Sequence, residues 1–220
     1  MRLTLIRHAE FHHSQLGLIA DIKGCRGLTD NGFAQATTLR ERFEATGELN
    51  DCTALIASPV LRARQTAEII HGLFPALPRL EDERLCEVRP GIADGLSWQE
   101  YARRGGQFDL VAEPERPFAP GGESWNGFLG RVQALLDALA QTYAGQHVVA
   151  VTHAGFIVAT LLLSFAIPRP GPSAWFEPCH TGITEWSFTP EGRTLQRYND
   201  TFHLVRHRPD QPAPRSSADC

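Results

Sequence analysis

Residues 147–152 read His-Val-Val-Ala-Val-Thr, a strand pattern with no alternation of polar and apolar side chains. A strand that shows no polar side to water has to be covered on both faces, as in parallel sheets flanked by helices. The sequence supplies covering helices next to it. Phe156 to Phe165 is apolar except for Thr160 and Ser164, too short to span a bilayer, and reads as a buried helix. Upstream, Phe128, Val132, Leu135, Leu136 and Leu139 form the apolar stripe of a long helix, with Ser124 at its N-cap and Gly145 at its exit.

The remaining elements follow the same plan. Leu3, Leu5 and Ile6 make a first buried strand that ends abruptly at Arg7-His8-Ala9-Glu10. A glycine-bearing polar loop follows to Leu28. Thr29 or Asp30 then caps a helix with Phe33, Ala36, Leu39 and Phe43 at helical spacing, and Gly47 ends it. Thr53 to Ala57 is a short apolar strand. Ser58-Pro59 has the form of an N-cap serine with proline at the first helical position, predicting a helix from Pro59 to Leu73 with Ala63, Ala67 and Ile70 inward. Short strands are expected near Arg79–Leu80, Gly182–Phe188 and Thr194–Tyr198, and a short helix over Leu96–Arg103. Alternating strands and helices predict an α/β fold, helices sandwiching a mostly parallel central sheet. Residues 1–205 read as one domain with a cap-like, Gly- and Pro-bearing insertion at about 88–122, and 206–220 as a disordered tail.

Composition removes several function classes. The net charge is −4, so no global field draws nucleic acid or an acidic membrane. Five cysteines without CxxC spacing give no disulfide framework or zinc knuckle and fit a reducing compartment. No charged-then-apolar signal segment opens the chain, so a cytoplasmic location is expected. Lys23 is the only lysine among 21 basic residues, so a lone arginine carries little information here.

Position carries more. In open α/β sheets ligands sit beyond the carboxyl ends of the strands. Three strand ends bring Arg7 with His8, Arg62 on a helix's first turn, and His153, followed by Ala154 and Gly155 at a helix N-terminus. Each alone reads better as a capping or solvated residue; with all three strand ends so equipped, a shared site is the better reading. Two guanidiniums and a helix N-terminus suit an oxyanion with several oxygens. A neutral imidazole is a competent nucleophile toward phosphorus, and the departing oxygen needs a nearby acid.

At this point the motifs resemble a family. Arg7-His8-Ala9-Glu10, the segment Gly27 to Ala36 (GLTDNGFAQA), Ser58 to Glu68 (SPVLRARQTAE), Leu85-Cys-Glu87 with Gly91 and Asp94-Gly-Leu96, Gly122-Glu-Ser124, Val151 to Gly155, and Asn199 to Leu204 are similar, in order, to the histidine phosphatase superfamily. The resemblance implies the phosphoglycerate mutase-like three-layer α/β/α sandwich and a metal-independent phosphatase with no cofactor. It implies His8 as the residue that takes the phosphoryl group; Arg7, Arg62, His153 and Ala154 as its surroundings; and Glu87 as proton donor. From the residues alone Glu87 reads as an ordinary loop carboxylate. A small phosphorylated substrate is implied, with neither nucleic acid nor membrane as partner. Oligomeric state is left open, a homodimer included.

The chain departs from the pattern in three places. Ala9 replaces a glycine. Phe11-His12-His13-Ser14 replaces a loop whose Asn touches phosphate, leaving Ser14 as the candidate substitute and His12-His13 as surface residues. His180-Thr181-Gly182 stands where an Asn or similar residue is usual, and no function is assigned to it. Arg64 competes with Arg62, but the position before Ala63 is the matching one. Three other readings share these residues. A mutase would return the phosphoryl group to substrate. A metallohydrolase would use His8, His153 and Glu87 as ligands, against the repulsion of two arginines. A non-catalytic phospho-ligand binder is disfavoured because the core groups are all present.

Overall fold

The computed structural model describes residues 1–12, 17–106, 108, 112–168 and 175–205. Ser14, His13 and the tail from residue 206 lie outside them. Six strands form one sheet: β1 (Arg2–Arg7), β2 (Cys52–Ala57), β3 (Arg79–Glu81), β4 (His147–Thr152), β5 (Ile183–Thr189) and β6 (Gly192–Asp200), in the order β3-β2-β4-β1-β5-β6. The β3-β2, β2-β4 and β4-β1 pairings are parallel, while β5 runs antiparallel to both β1 and β6. The sheet is thus mostly parallel, with a hairpin closing one side.

All six residues of β4 are buried, as its unbroken apolar pattern demands. Its valines alternate between two cores. Val148 and Ala150 join Leu3 and Leu5 against α4 (Trp125–Thr142) and α5 (Ala154–Ser164). Val149 and Val151 join Ile6 and Leu55 against α1 (Asp30–Thr46) and α2 (Leu61–His71). The three-layer α/β/α sandwich follows from this two-sided burial.

The helix caps mostly follow local chemistry. Thr29 accepts from Gly32 N, Ser124 accepts from Gly127 N, and Gly47 leaves α1 with φ 65°. Two expectations fail for tertiary reasons. Phe33 is 41% exposed, and the inward position on α1 belongs to Gly32. A side chain at Gly32 would strike the Glu10 carbonyl, so α1 packs there by backbone and turns Phe33 outward. Ser58 is not the N-cap of α2, which begins at Leu61 after Val60 rather than at Pro59. Its hydroxyl is fully buried and committed to His153.

The segment after β3 holds two 3₁₀ turns, Glu83–Leu85 and Gly91–Ala93, and α3 (Trp98–Arg103), capped by Ser97. Tyr101 stacks on Phe118 with ring centroids 4.6 Å apart, and Ile19 and Ala93 join them in a satellite cluster. Asp94 fixes this segment to the loop after β1 by accepting from Asp21 N, Lys23 N and Gly24 N at 2.8–3.1 Å. Cys25, Cys52 and Cys86 are buried thiols.

Candidate active site

The register places three strand ends side by side. Arg7 pairs with Thr152 across β1-β4, and Ala57 with Val151 across β2-β4. The next residues, His8, Ser58 and His153, therefore leave the sheet together. His8 and His153 are almost wholly buried, with ring centroids 5.1 Å apart.

The hydrogen bonds fix both tautomers. His8 Nδ1 lies 2.9 Å from the Ala9 carbonyl, which only accepts, so the proton sits on Nδ1. Nε2 keeps its lone pair, and Arg62 Nε donates to it at 3.0 Å. Arg62 Nη2 donates to His153 Nδ1 at 2.9 Å, so His153 carries its proton on Nε2 and donates it to Ser58 Oγ at 2.8 Å. Arg62 also donates to the Ala20 carbonyl and lies over the Phe11 ring, 4.5 Å from its centroid. Arg7 donates from Nη1 to the Pro178 carbonyl. Its buried Nε has no hydrogen-bond partner among the described residues.

The local charge is set by burial. Removal from water, helped by the Arg62 guanidinium, holds both His8 and His153 well below the usual imidazole range. Burial brings Arg7 down to about 10, still charged at neutral pH, with Glu87 and Glu177 opposing the shift. The pocket thus combines neutral imidazoles with cationic guanidiniums. That combination attracts an anion and leaves a ring nitrogen unprotonated beside it.

Glu87 is where the residue-level reading fails. It is not a surface carboxylate: Oε2 accepts from Gly155 N at 2.8 Å and Oε1 from Val88 N at 3.1 Å. The acid therefore sits at the N-terminus of α5, one turn from His153, where the helix dipole favours negative charge. Gly155 makes the room, because a Cβ there would fall on Oε1 and 2.8 Å from Cδ. The glycine admits a protein carboxylate rather than a ligand. Arg131 on α4 holds the acid's backbone, donating to the carbonyls of Arg84, Cys86 and Glu87 at 2.6–3.1 Å. It is itself paired with Glu123 at 2.7 Å. Arg131 escaped the sequence reading, its only signal being the Glu123 beside the capping Ser124.

The other motif residues support the site from outside. Ala9 is fully buried, and its N–H donates to Thr66 Oγ1 at 3.0 Å, which in turn donates to the Arg62 carbonyl at 2.8 Å. Glu10 accepts from Thr29 Oγ1 and Asn31 Nδ2, while its N–H donates to Gln35 Oε1. Gln65 Oε1 accepts from Leu28 N. Arg64 is exposed and pairs with Glu81 at 2.8 Å, away from the pocket, so Arg62 is the arginine brought in. Ala154 opens α5 beside His153, and His12 is exposed. Among the described residues no group of three or more His, Cys, Asp and Glu side chains is arranged to hold a metal ion. Nor is any helix among them long and apolar enough to cross a membrane.

A neutral imidazole buried beside arginines at the carboxyl edge of an α/β sheet is a setting suited to an oxyanion with several oxygens, such as a phosphoryl group. The family model of the histidine phosphatase superfamily (branch 1) matches residues 3–201, and the chain belongs to that superfamily. It is an enzyme of the histidine phosphatase class. It is 31% identical over 218 residues to 5''-phosphoribostamycin phosphatase from Niallia circulans, covering 93% of this chain and 98% of the relative. The structure of phosphoserine phosphatase from Entamoeba histolytica in complex with 3-phosphoglyceric acid superposes with a TM-score of 0.75 at 26% identity, covering 92% of this chain and 98% of that one. The α-ribazole phosphatase of Shigella flexneri shares the fold, with a TM-score of 0.75 at 22% identity over 91% of this chain and 97% of that one.

Proposed function

We propose that the chain hydrolyses a phosphate monoester of a small molecule through a phosphohistidine on His8. The observation that carries this reading is the His8 tautomer: Nδ1–H is tied to the Ala9 carbonyl, and the Nε2 lone pair sits at the Arg62 guanidinium. In the first step a phosphoryl oxygen takes over the Arg62 Nε donor, the freed Nε2 lone pair attacks phosphorus and the P–O ester bond breaks. Glu87, a carboxylate in the resting site, takes up a proton as the substrate's dianionic phosphate arrives beside it and, then as the carboxylic acid, passes that proton to the departing alkoxide. Arg7, Arg62 and His153 hold the phosphoryl oxygens, stabilising charge that spreads over them. In the second step the Glu87 carboxylate takes a proton from water as that water attacks phosphorus. The N–P bond breaks, inorganic phosphate leaves and His8 returns neutral. Ser58 and Thr66 act as positioning residues, through His153 and through the Arg62 backbone. The segment of about 88–122 covers the pocket and selects the leaving group; its anchoring to the loop after β1 through Asp94 supports that role. Relatives that act on phosphoribostamycin and phosphoserine support a small phosphorylated substrate.

The test is hydrolysis of a generic aryl phosphate by wild type and His8→Ala, both in excess chelator, with an alkaline quench to retain phosphohistidine. Turnover that persists in chelator, label on the wild type, and loss of both in His8→Ala are expected. Unlabelled wild type that still turns over would overturn the covalent route. Label that passes to a second phosphate acceptor in preference to water would favour the mutase reading.

A further inference from the structure

The loop entering β5 carries a side chain for which the reaction above has no use. His180 stands with its ring centroid 5.7 Å from that of His8 and 6.4 Å from that of Phe11. Its Nε2 is buried and has no hydrogen-bond partner among the described residues. A buried polar nitrogen left unpaired is destabilising by about 1–3 kcal/mol, so such groups call for an explanation. The backbone around it is held firmly. Thr181 N donates to the Arg7 carbonyl at 3.0 Å, and Arg7 N donates to the Gly182 carbonyl at 3.2 Å. Thr181 adopts φ 56°, a left-handed conformation unfavourable for a β-branched residue, and its hydroxyl bonds His203 Nε2 at 2.9 Å. Cys179 N donates to Asn199 Oδ1 at 2.7 Å. The loop is thus fastened to the backbone of Arg7, on the strand that delivers His8. A strained and pinned turn carrying an unpartnered ring nitrogen is a preorganised contact awaiting its partner.

We propose that His180 is a third contact to the phosphoryl group, its Nε2–H donating to an oxygen of the phosphoryl group that His8 receives. Placement favours the phosphoryl group over the leaving group, because the ring lies against the nucleophile's own ring and its loop is hydrogen-bonded to Arg7. Burial, with Arg7 and Arg62 nearby, brings the imidazole down to about 3, so it enters the site neutral and adds a donor without another charge. A neutral donor offers a directed hydrogen bond and does not compete with His8 by giving up a proton.

This assignment rests on the reading of the site as a phosphoryl pocket, and binding of inorganic orthovanadate separates the two. Calorimetric titration would compare wild type, His180→Ala and His180→Gln, with a thermal melt of each. Glutamine places an amide nitrogen near the reach of imidazole Nε2. The alanine variant is expected to bind vanadate about tenfold more weakly, as for a lost hydrogen bond to a charged group, at a melting temperature no lower than wild type. The glutamine variant is expected to recover most of the affinity. Wild-type affinity in His180→Ala overturns the role of His180 while leaving the pocket intact. Affinity lost only in step with a lowered melting temperature, and not recovered by glutamine, overturns it in favour of a structural role. Absence of vanadate binding in the wild type overturns the pocket itself and this contact with it.

Discussion

Replacing Gly155 by alanine separates stability from activity at a single methyl group. The added Cβ would fall on Glu87 Oε1 and 2.8 Å from Cδ, while the backbone of α5 has no need to move. The obstacle is the far end of a flexible side chain, so Glu87 swings away and gives up its 2.8 Å bond from Gly155 N. Loss of a charge-assisted hydrogen bond is worth about 1.5–3 kcal/mol. Alanine in place of glycine near the start of a helix returns up to about 1 kcal/mol. The freed N–H belongs to the first turn, where water replaces a lost partner. The net destabilisation is therefore about 0.5–3 kcal/mol. If Glu87 is the general acid, the rate effect is far larger, about 10²–10⁴-fold, and grows with the basicity of the leaving group. The assay pairs a urea melt with kcat/KM for an aryl phosphate and for an alkyl phosphate. A Gly155→Ala enzyme that hydrolyses the alkyl ester at the wild-type rate would refute the placement of Glu87 as proton donor.

Two further outcomes follow from the same geometry. Thr66→Val removes the acceptor of the buried Ala9 N–H, and we expect about 1–3 kcal/mol of lost stability in urea melts together with lower kcat/KM; unchanged stability would contradict the bond. Stability should also fall on acidification, because His8 and His153 lie well below the usual imidazole range in the folded state and His180 lies at about 3. Unfolded imidazoles titrate near 6.5, so below that pH the unfolded chain binds more protons. Stability is complete above about pH 7, and His180 alone removes about 2 kcal/mol between pH 7 and pH 5. A urea midpoint that stays flat over that interval in wild type would refute the buried neutral state.

The elements that periodicity could read were read correctly, since β4, α4 and α5 owe their burial to runs of apolar side chains that nothing local contradicts. Arg7, His8, Arg62 and His153 are legible because each stands at the end of a strand or shortly after it, and strand ends share an edge. Ser58 shows the limit of that reasoning. Ser-Pro has the right chemistry for a helix start, but the hydroxyl is claimed by His153, 95 residues away. Phe33 failed similarly, displaced by a backbone contact between Gly32 and Glu10 that no spacing rule contains. Glu87 and Arg131 lie on elements with no shared periodicity, and only the family motif pointed to the former.

The order β2-β4-β1 has a consequence for assembly. His8, Ser58 and His153 become neighbours only when three strands, distant in sequence, lie in one register. Because side chains alternate with period two, a slip of one residue on any of these strands sends its contribution to the opposite face. An oxyanion bound as proposed would therefore recognise the correctly aligned sheet in preference to its misaligned competitors. At a hundred times its dissociation constant it would favour that alignment by about 2.7 kcal/mol. Such a ligand would proofread strand alignment, selecting the properly threaded chain before any bond is broken.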